Sequence, residues 1–123
     1  MTNSSNLIDS LEVYVLNNPD DVKPHWVSHF IVPTANELLI KIKNKNGNSG
    51  FGLATSYSDI SPIIKPFSNG LQDFIIGQDP FCPEKIYESI SKLTDTRISS
   101  EKGWSKEALI RISAALDIAC WDL

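Results

Sequence analysis

Residues 108–123 read ALIRISAALDIACWDL, and twelve of the sixteen are apolar. Placed at about 100° per residue, as on an α-helix, they fall into arcs. One broad apolar arc holds Ala108, Leu109, Ile112, Ala115, Leu116, Ala119, Cys120 and Leu123; a second holds Ile110, Ala114, Ile118 and Trp121. Two narrow polar seams part them, Arg111 with Asp122 and Ser113 with Asp117. A surface helix needs one apolar stripe, and this one has two. Burying a large apolar side chain stabilises by about 1.5–3 kcal/mol, so a second arc left in water forgoes several kcal/mol. That is a large share of a typical total of roughly 5–15 kcal/mol. The pattern predicts that something beyond these residues, more of the same chain or another subunit, covers the second arc. The alternative is a small domain whose other helices wrap this one completely.

Upstream the periodicity is different. In IDSLEVYVL (8–16), Leu11, Val13 and Val15 alternate with Glu12 and Tyr14; in ELLIKIKN (37–44), Leu38, Ile40 and Ile42 alternate with Leu39, Lys41 and Lys43. Period two predicts half-buried strands. Asn46-Gly47 can supply the two positive-φ residues of a tight hairpin turn. Residues 50–55 would return as a third strand, with Gly50 and Gly52 keeping its side chains small. From Ser58 the spacing turns helical through Ile60, Ile63, Ile64, Phe67, Leu71 and Phe74, with Asp59 as N-cap. Pro66 should kink this helix or delay its start, and GQDP at 77–80 closes it. A further helix is expected from Pro83 to about Asp95 with Ile86, Tyr87, Ile90 and Leu93 buried. The polar TRISSEKG (96–103) then leads to the last helix from Ser105. The expected fold is α+β: a three-stranded antiparallel sheet followed by a bundle of three or four helices.

Composition bounds the function. The chain has 123 residues, a net charge of −4 and scattered Lys and Arg, so no basic stripe suits nucleic acid or an anionic membrane. No run is apolar enough to span a bilayer, and MTNSSNLIDS is not a secretory signal. The expected location is the cytoplasm, with Cys82 and Cys120 as reduced structural thiols.

Residues 17–35, NNPDDVKPHWVSHFIVPTA, form a long connection carrying Trp26 and the only two histidines, His25 and His29. Connections this long are usually functional or disordered. The histidines are four apart, but no third ligand is evident and no metal site is expected. A packed loop with exposed histidines and a flap over a ligand are both open readings. No nucleophile motif or phosphate-binding glycine loop occurs.

Three motifs in order then become familiar: the G-x-G of Gly50 to Gly52, the G-x-D-P of Gly77 to Pro80, and the A-x-D-x-A-x-W-D-L of Ala115 to Leu123. Together they resemble the N-terminal capping domain of the enolase superfamily, in its mandelate racemase and muconate-lactonizing branch. The resemblance covers nearly all of residues 1–123. It implies a cap that packs on a (β/α)8-type barrel beginning just past the WDL helix and absent from these residues, which would cover the second arc. It further implies that the catalytic bases and the ligands of Mg²⁺ belong to the barrel, so that no catalytic or metal residue is expected in 1–123. The implied chemistry is abstraction of the proton α to a carboxylate, leading to racemisation, dehydration or cycloisomerisation. The polar, histidine-bearing loop favours a hydroxylated acid and hence dehydration. Two cap loops face substrate in this family, here 17–35 and about 54–58, which nominates His25, Trp26, His29 and Tyr57 as substrate-binding. Expected partners are the barrel, a small carboxylate or sugar-acid substrate, and further copies of the chain. A stand-alone binding or dimerisation module of the same fold is the alternative.

Overall fold

Alternating apolar residues build the sheet in a computed structural model of the chain, which describes residues 4–16, 25–26, 31–32, 36–56 and 59–123. Strands β1 (Ile8–Leu16), β4 (Asn36–Asn44) and β5 (Ser49–Ser56) form an antiparallel sheet in the order β1-β4-β5. Two short strands, β2 (His25–Trp26) and β3 (Ile31–Val32), pair with each other between them in sequence. The register aligns Leu11, Ile42 and Gly50, then Val13, Ile40 and Gly52, then Val15, Leu38 and Ala54, on one face of the sheet. In β4 the three members of this face, Leu38, Ile40 and Ile42, are fully buried.

The hairpin turn differs from expectation. Gly47 alone takes a positive φ (87°), and no non-glycine residue does so among the described residues. Gly47 N–H donates to Asn44 O, Asn44 N–H to Asn48 O, and Asn48 N–H to the Asn44 side chain. One left-handed glycine in a three-residue loop replaces the two-residue turn that needs two.

Four helices follow: α1 (Ser61–Ser68), α2 (Pro83–Ser91), α3 (Arg97–Lys102) and α4 (Lys106–Asp122). α1 is shorter than its periodicity suggested. It ends before Gly70, whose φ of 94° turns the chain into a single 3₁₀ turn over Leu71–Phe74. Pro66 lies inside α1 and is buried without delaying its start; the break comes from the left-handed glycine. Asp59 acts one residue ahead of the N-cap, its carboxylate accepting from Ser61 N–H and Ser61 Oγ. Along α2, Ile86 and Ile90 are buried, with Leu93 just beyond, but Tyr87 is exposed. A narrow stripe suffices there, and Tyr87 stands about 100° round the helix from Ile86. The polar 96–103 segment, read as a connector, contains α3, capped by Thr96 and ended by Gly103 at φ 69°. Six residues are too few to show a helical period, so only the caps mark it.

α4 starts at Ser105, whose Oγ accepts from Ala108 N–H. Its broad arc from Ala108 to Cys120 is buried as read from the sequence. The helix lies on β5 so closely that a Cβ on Gly52 would stand 1.9 Å from the Ala115 carbonyl oxygen, and one on Gly50 2.0 Å from that of Ala119. Only glycine admits this approach of backbone to backbone. No helix among the described residues is long and apolar enough to cross a membrane.

Candidate functional site

The register places the ends of the two candidate loops. Leu16, the last residue of β1, stands opposite Glu37 near the start of β4, and Glu37 stands opposite Thr55 near the end of β5. Both feet of the 17–35 connection and the exit of β5 therefore meet at one end of the sheet, within two strand spacings, or about 10 Å. Strand pairing alone brings together the strand ends that flank the two candidate loops.

Within the long connection the β2–β3 ladder pairs His25 with Val32 and Trp26 with Ile31. Two of the four nominated residues thus sit side by side on one two-residue strand. His29 and Tyr57 lie outside the described residues.

Titratable side chains among the described residues act locally. No group of three His, Cys, Asp or Glu side chains among them converges on a point where a metal ion would sit. The shifted acids are local surface pairs. Hydrogen bonds from the Ser61 backbone and side chain hold Asp59 below the usual carboxylate range, and Lys92 does the same to Glu88 across one helical turn. Tyr14 is raised by its hydrogen bond to Glu12. Burial, with Asp117 and Asp79 adding repulsion, pushes the Cys120 thiol up to about 12, which makes it inert.

The second arc of α4 is bare. Ile110, Ala114, Ile118 and Trp121 are all exposed, Trp121 at 75%. The apolar surface continues in two directions. Ile118 lines a cleft of about 240 Å³ with Leu39, Phe51 and Leu53 on the outer face of the sheet. Trp121 lines another of about 250 Å³ with Pro80 and Phe81, the latter 66% exposed. Exposed apolar clusters of this kind are candidate interaction surfaces. Phe81 was not anticipated; its only signal was an aromatic residue set between two prolines in a turn.

The polar seam beside that arc has a partner that periodicity did not reveal. Asp122 Oδ2 accepts from Phe51 N–H at 2.9 Å, and Arg111 Nη1 donates to Thr55 O at 2.5 Å. The seam fastens α4 along the free edge of β5, satisfying backbone groups that an edge strand otherwise leaves open.

Residues 10–123 match the N-terminal domain described as mandelate racemase / muconate lactonizing enzyme. Solved structures share the fold. A racemase from Streptomyces coelicolor A3(2) with bound magnesium superposes at TM-score 0.73 and 22% identity, over 95% of this chain and 31% of that one. The L-Ala-D/L-Glu epimerase from Bacillus subtilis gives 0.65 and 20%, over 94% and 30%. The muconate lactonizing enzyme from Pseudomonas fluorescens complexed with muconolactone gives 0.61 and 18%, over 91% and 30%. The chain thus spans about a third of the length of these structures. No curated protein matches it in sequence.

Proposed function

Because the chain belongs to the mandelate racemase / muconate lactonizing enzyme family, as its N-terminal domain, we propose that it is the substrate cap of a longer enolase-superfamily enzyme. The partner is a (β/α)8-type barrel in the same polypeptide, seated against the outer arc of α4. The enzyme removes the proton α to a carboxylate; loss of a β-hydroxyl then gives dehydration, and return of the proton to the opposite face gives racemisation. Substrates are small carboxylates, sugar acids foremost, and the working assembly is a homo-oligomer.

A Mg²⁺ ion held elsewhere in the longer enzyme would supply positive charge that favours loss of the α-proton. The described residues do not fit it, since they bring no three ligands together. On this reading its ligands and the catalytic bases belong to the barrel, and this chain contributes binding, orientation and exclusion of water. His25 and His29 donate or accept hydrogen bonds at substrate hydroxyls or a distal carboxylate, Trp26 screens the site from solvent, and Tyr57 contributes from the second loop.

The observation that carries this reading is the convergence of Leu16, Glu37 and Thr55 at one end of the sheet. It gives both loops a common base. The test is the longer polypeptide with Mg²⁺ in D₂O against a panel of sugar acids. Racemisation should place deuterium at the α-carbon, dehydration should yield a 2-keto acid with deuterium on the adjacent carbon, and Trp26→Ala should lower kcat/KM by about tenfold or more, as loss of a positioning contact does. An unchanged kcat/KM removes Trp26 from the site, and neither α-deuteration nor a 2-keto acid product with any acid ends the reading.

A further inference from the structure

We propose that Arg111 is a positioning residue: from α4 it holds the end of β5 where the strand leaves the sheet, and through that backbone it sets substrate affinity. The inference rests on the capping function above and adds to it a residue that belongs to neither loop.

The geometry is that of a clamp. Arg111 Nη1 donates to the Thr55 carbonyl at 2.5 Å, on the side of β5 turned away from β4. The guanidinium is itself aimed: Nε and Nη2 both reach Glu107 Oε1, one helical turn earlier, at 3.0 Å. The Arg111 side chain is only 33% exposed, whereas that of Glu107 is 75% exposed. A planar fork that binds a carboxylate on one side and a carbonyl on the other is a task for arginine; a lysine ammonium has no such fixed geometry.

The next described stretch is fastened as well. Ser56 Oγ donates to Asp59 O at 3.2 Å, and the Asp59 carboxylate accepts from Ser61 N–H and Oγ at 3.1 and 2.9 Å. A cleft of about 60 Å³ lies among Ser56, Asp59, Glu107 and Arg111. Residues 55–56 and 59–61 are thus tied by named bonds, and the bond from Arg111 reaches back to α4.

The core does not depend on that tie. α4 is held on β5 by the backbone contacts at Gly50 and Gly52 and by the buried Leu109, Ile112 and Leu116. Removing the guanidinium returns one edge carbonyl to water and frees the strand end, while the helix stays seated. A residue acting only on stability would loosen β5 and α4 together.

Arg111→Gln and Arg111→Lys in the longer polypeptide test this, with Asp122→Asn as a control at the other end of the same edge. Amide hydrogen exchange reads the clamp, and KM against kcat reads its consequence. In Arg111→Gln, exchange at 56 and 60 should quicken by about tenfold, the order expected for one lost charge-assisted hydrogen bond. Amides from Leu109 to Leu116 should keep their protection, and KM should rise several-fold with kcat nearly unchanged. Arg111→Lys should show a smaller rise in KM, and Asp122→Asn should leave exchange at 56 and 60 as it was. Unchanged exchange at 56 and 60, loosening spread evenly over β5 and α4, or an unaltered KM would each overturn the proposal. A wild-type enzyme with neither α-proton exchange nor loss of water from any acid would sink the capping function instead, and the amide pattern would still decide whether Arg111 holds the strand end.

Discussion

Gly52→Ala puts a methyl group where α4 already runs. Its Cβ would lie 1.9 Å from the Ala115 carbonyl oxygen and 2.8 Å from the carbonyl carbon, both backbone atoms that no rotamer change can move. Ordinary contact begins near 3.4 Å, so the helix must recede by about 3.4 − 1.9 = 1.5 Å. A gap of 0.5–1 Å already forfeits a quarter to a half of a dispersion contact, and Ala115, Leu116 and Ala119 lie along the line that would open. Overpacking of this kind costs about 3 kcal/mol, the upper end of its usual range. Alanine's lower conformational entropy offsets about 0.5–1 kcal/mol of that. The net loss of about 2–2.5 kcal/mol corresponds to a fall in Tm of roughly 10 °C for a domain of this size. Urea or thermal unfolding followed by circular dichroism measures it. Gly47→Ala is the control: nothing lies within 4 Å of that position, but its φ of 87° imposes backbone strain of about 1 kcal/mol. Gly50→Ala should resemble Gly52→Ala, since its Cβ would stand 2.0 Å from the Ala119 oxygen. If Gly52→Ala proves no less stable than Gly47→Ala, α4 does not pass over β5 as described.

Ile118→Asp should leave the stability of this domain within about 0.5 kcal/mol, because Ile118 is 53% exposed. In the longer protein it should abolish activity and expose a protease-sensitive junction; full activity would refute the seating of the barrel on this arc. Ser105→Ala removes the cap on Ala108 N–H at 3.1 Å and should cost about 1 kcal/mol in unfolding free energy, with Ser105→Asp restoring it. Cys120 should resist thiol reagents in the folded protein. Its thiol is raised from 9.0 to about 12, so the unfolded chain loses that proton first, and stability should fall as pH climbs from 9 towards 12. Cys120→Ser, scanned over the same range, should show a shallower decline.

The outer arc of α4 was legible without any coordinates. Ile110, Ala114, Ile118 and Trp121 follow from a 100° projection, and each is exposed where the projection placed it. The strands were equally plain, since side chains of period two must alternate between faces. Helix boundaries were less so. Pro66 did not delay the start of α1 at Ser61, and the helix ends at Ser68, short of the left-handed Gly70. α3 was hidden by its brevity, and Tyr87 was assigned to the core on spacing that one neighbouring helix does not require. Of the nominated site, the pairing of His25 and Trp26 with Val32 and Ile31 became visible only in the structure.

Local order along the chain therefore determined the strands, the two-faced last helix and, through the Gly50, Gly77 and Ala115–Leu123 motifs, the family resemblance. Each depends on the geometry of a few consecutive residues. The tertiary structure alone decided that Thr55 meets Leu16 and Glu37 at one sheet end, and that Arg111 and Asp122 fasten the edge of β5. Those contacts join residues tens of positions apart, and their partners are set by how the helix sits on two glycines, which no pattern of spacing records.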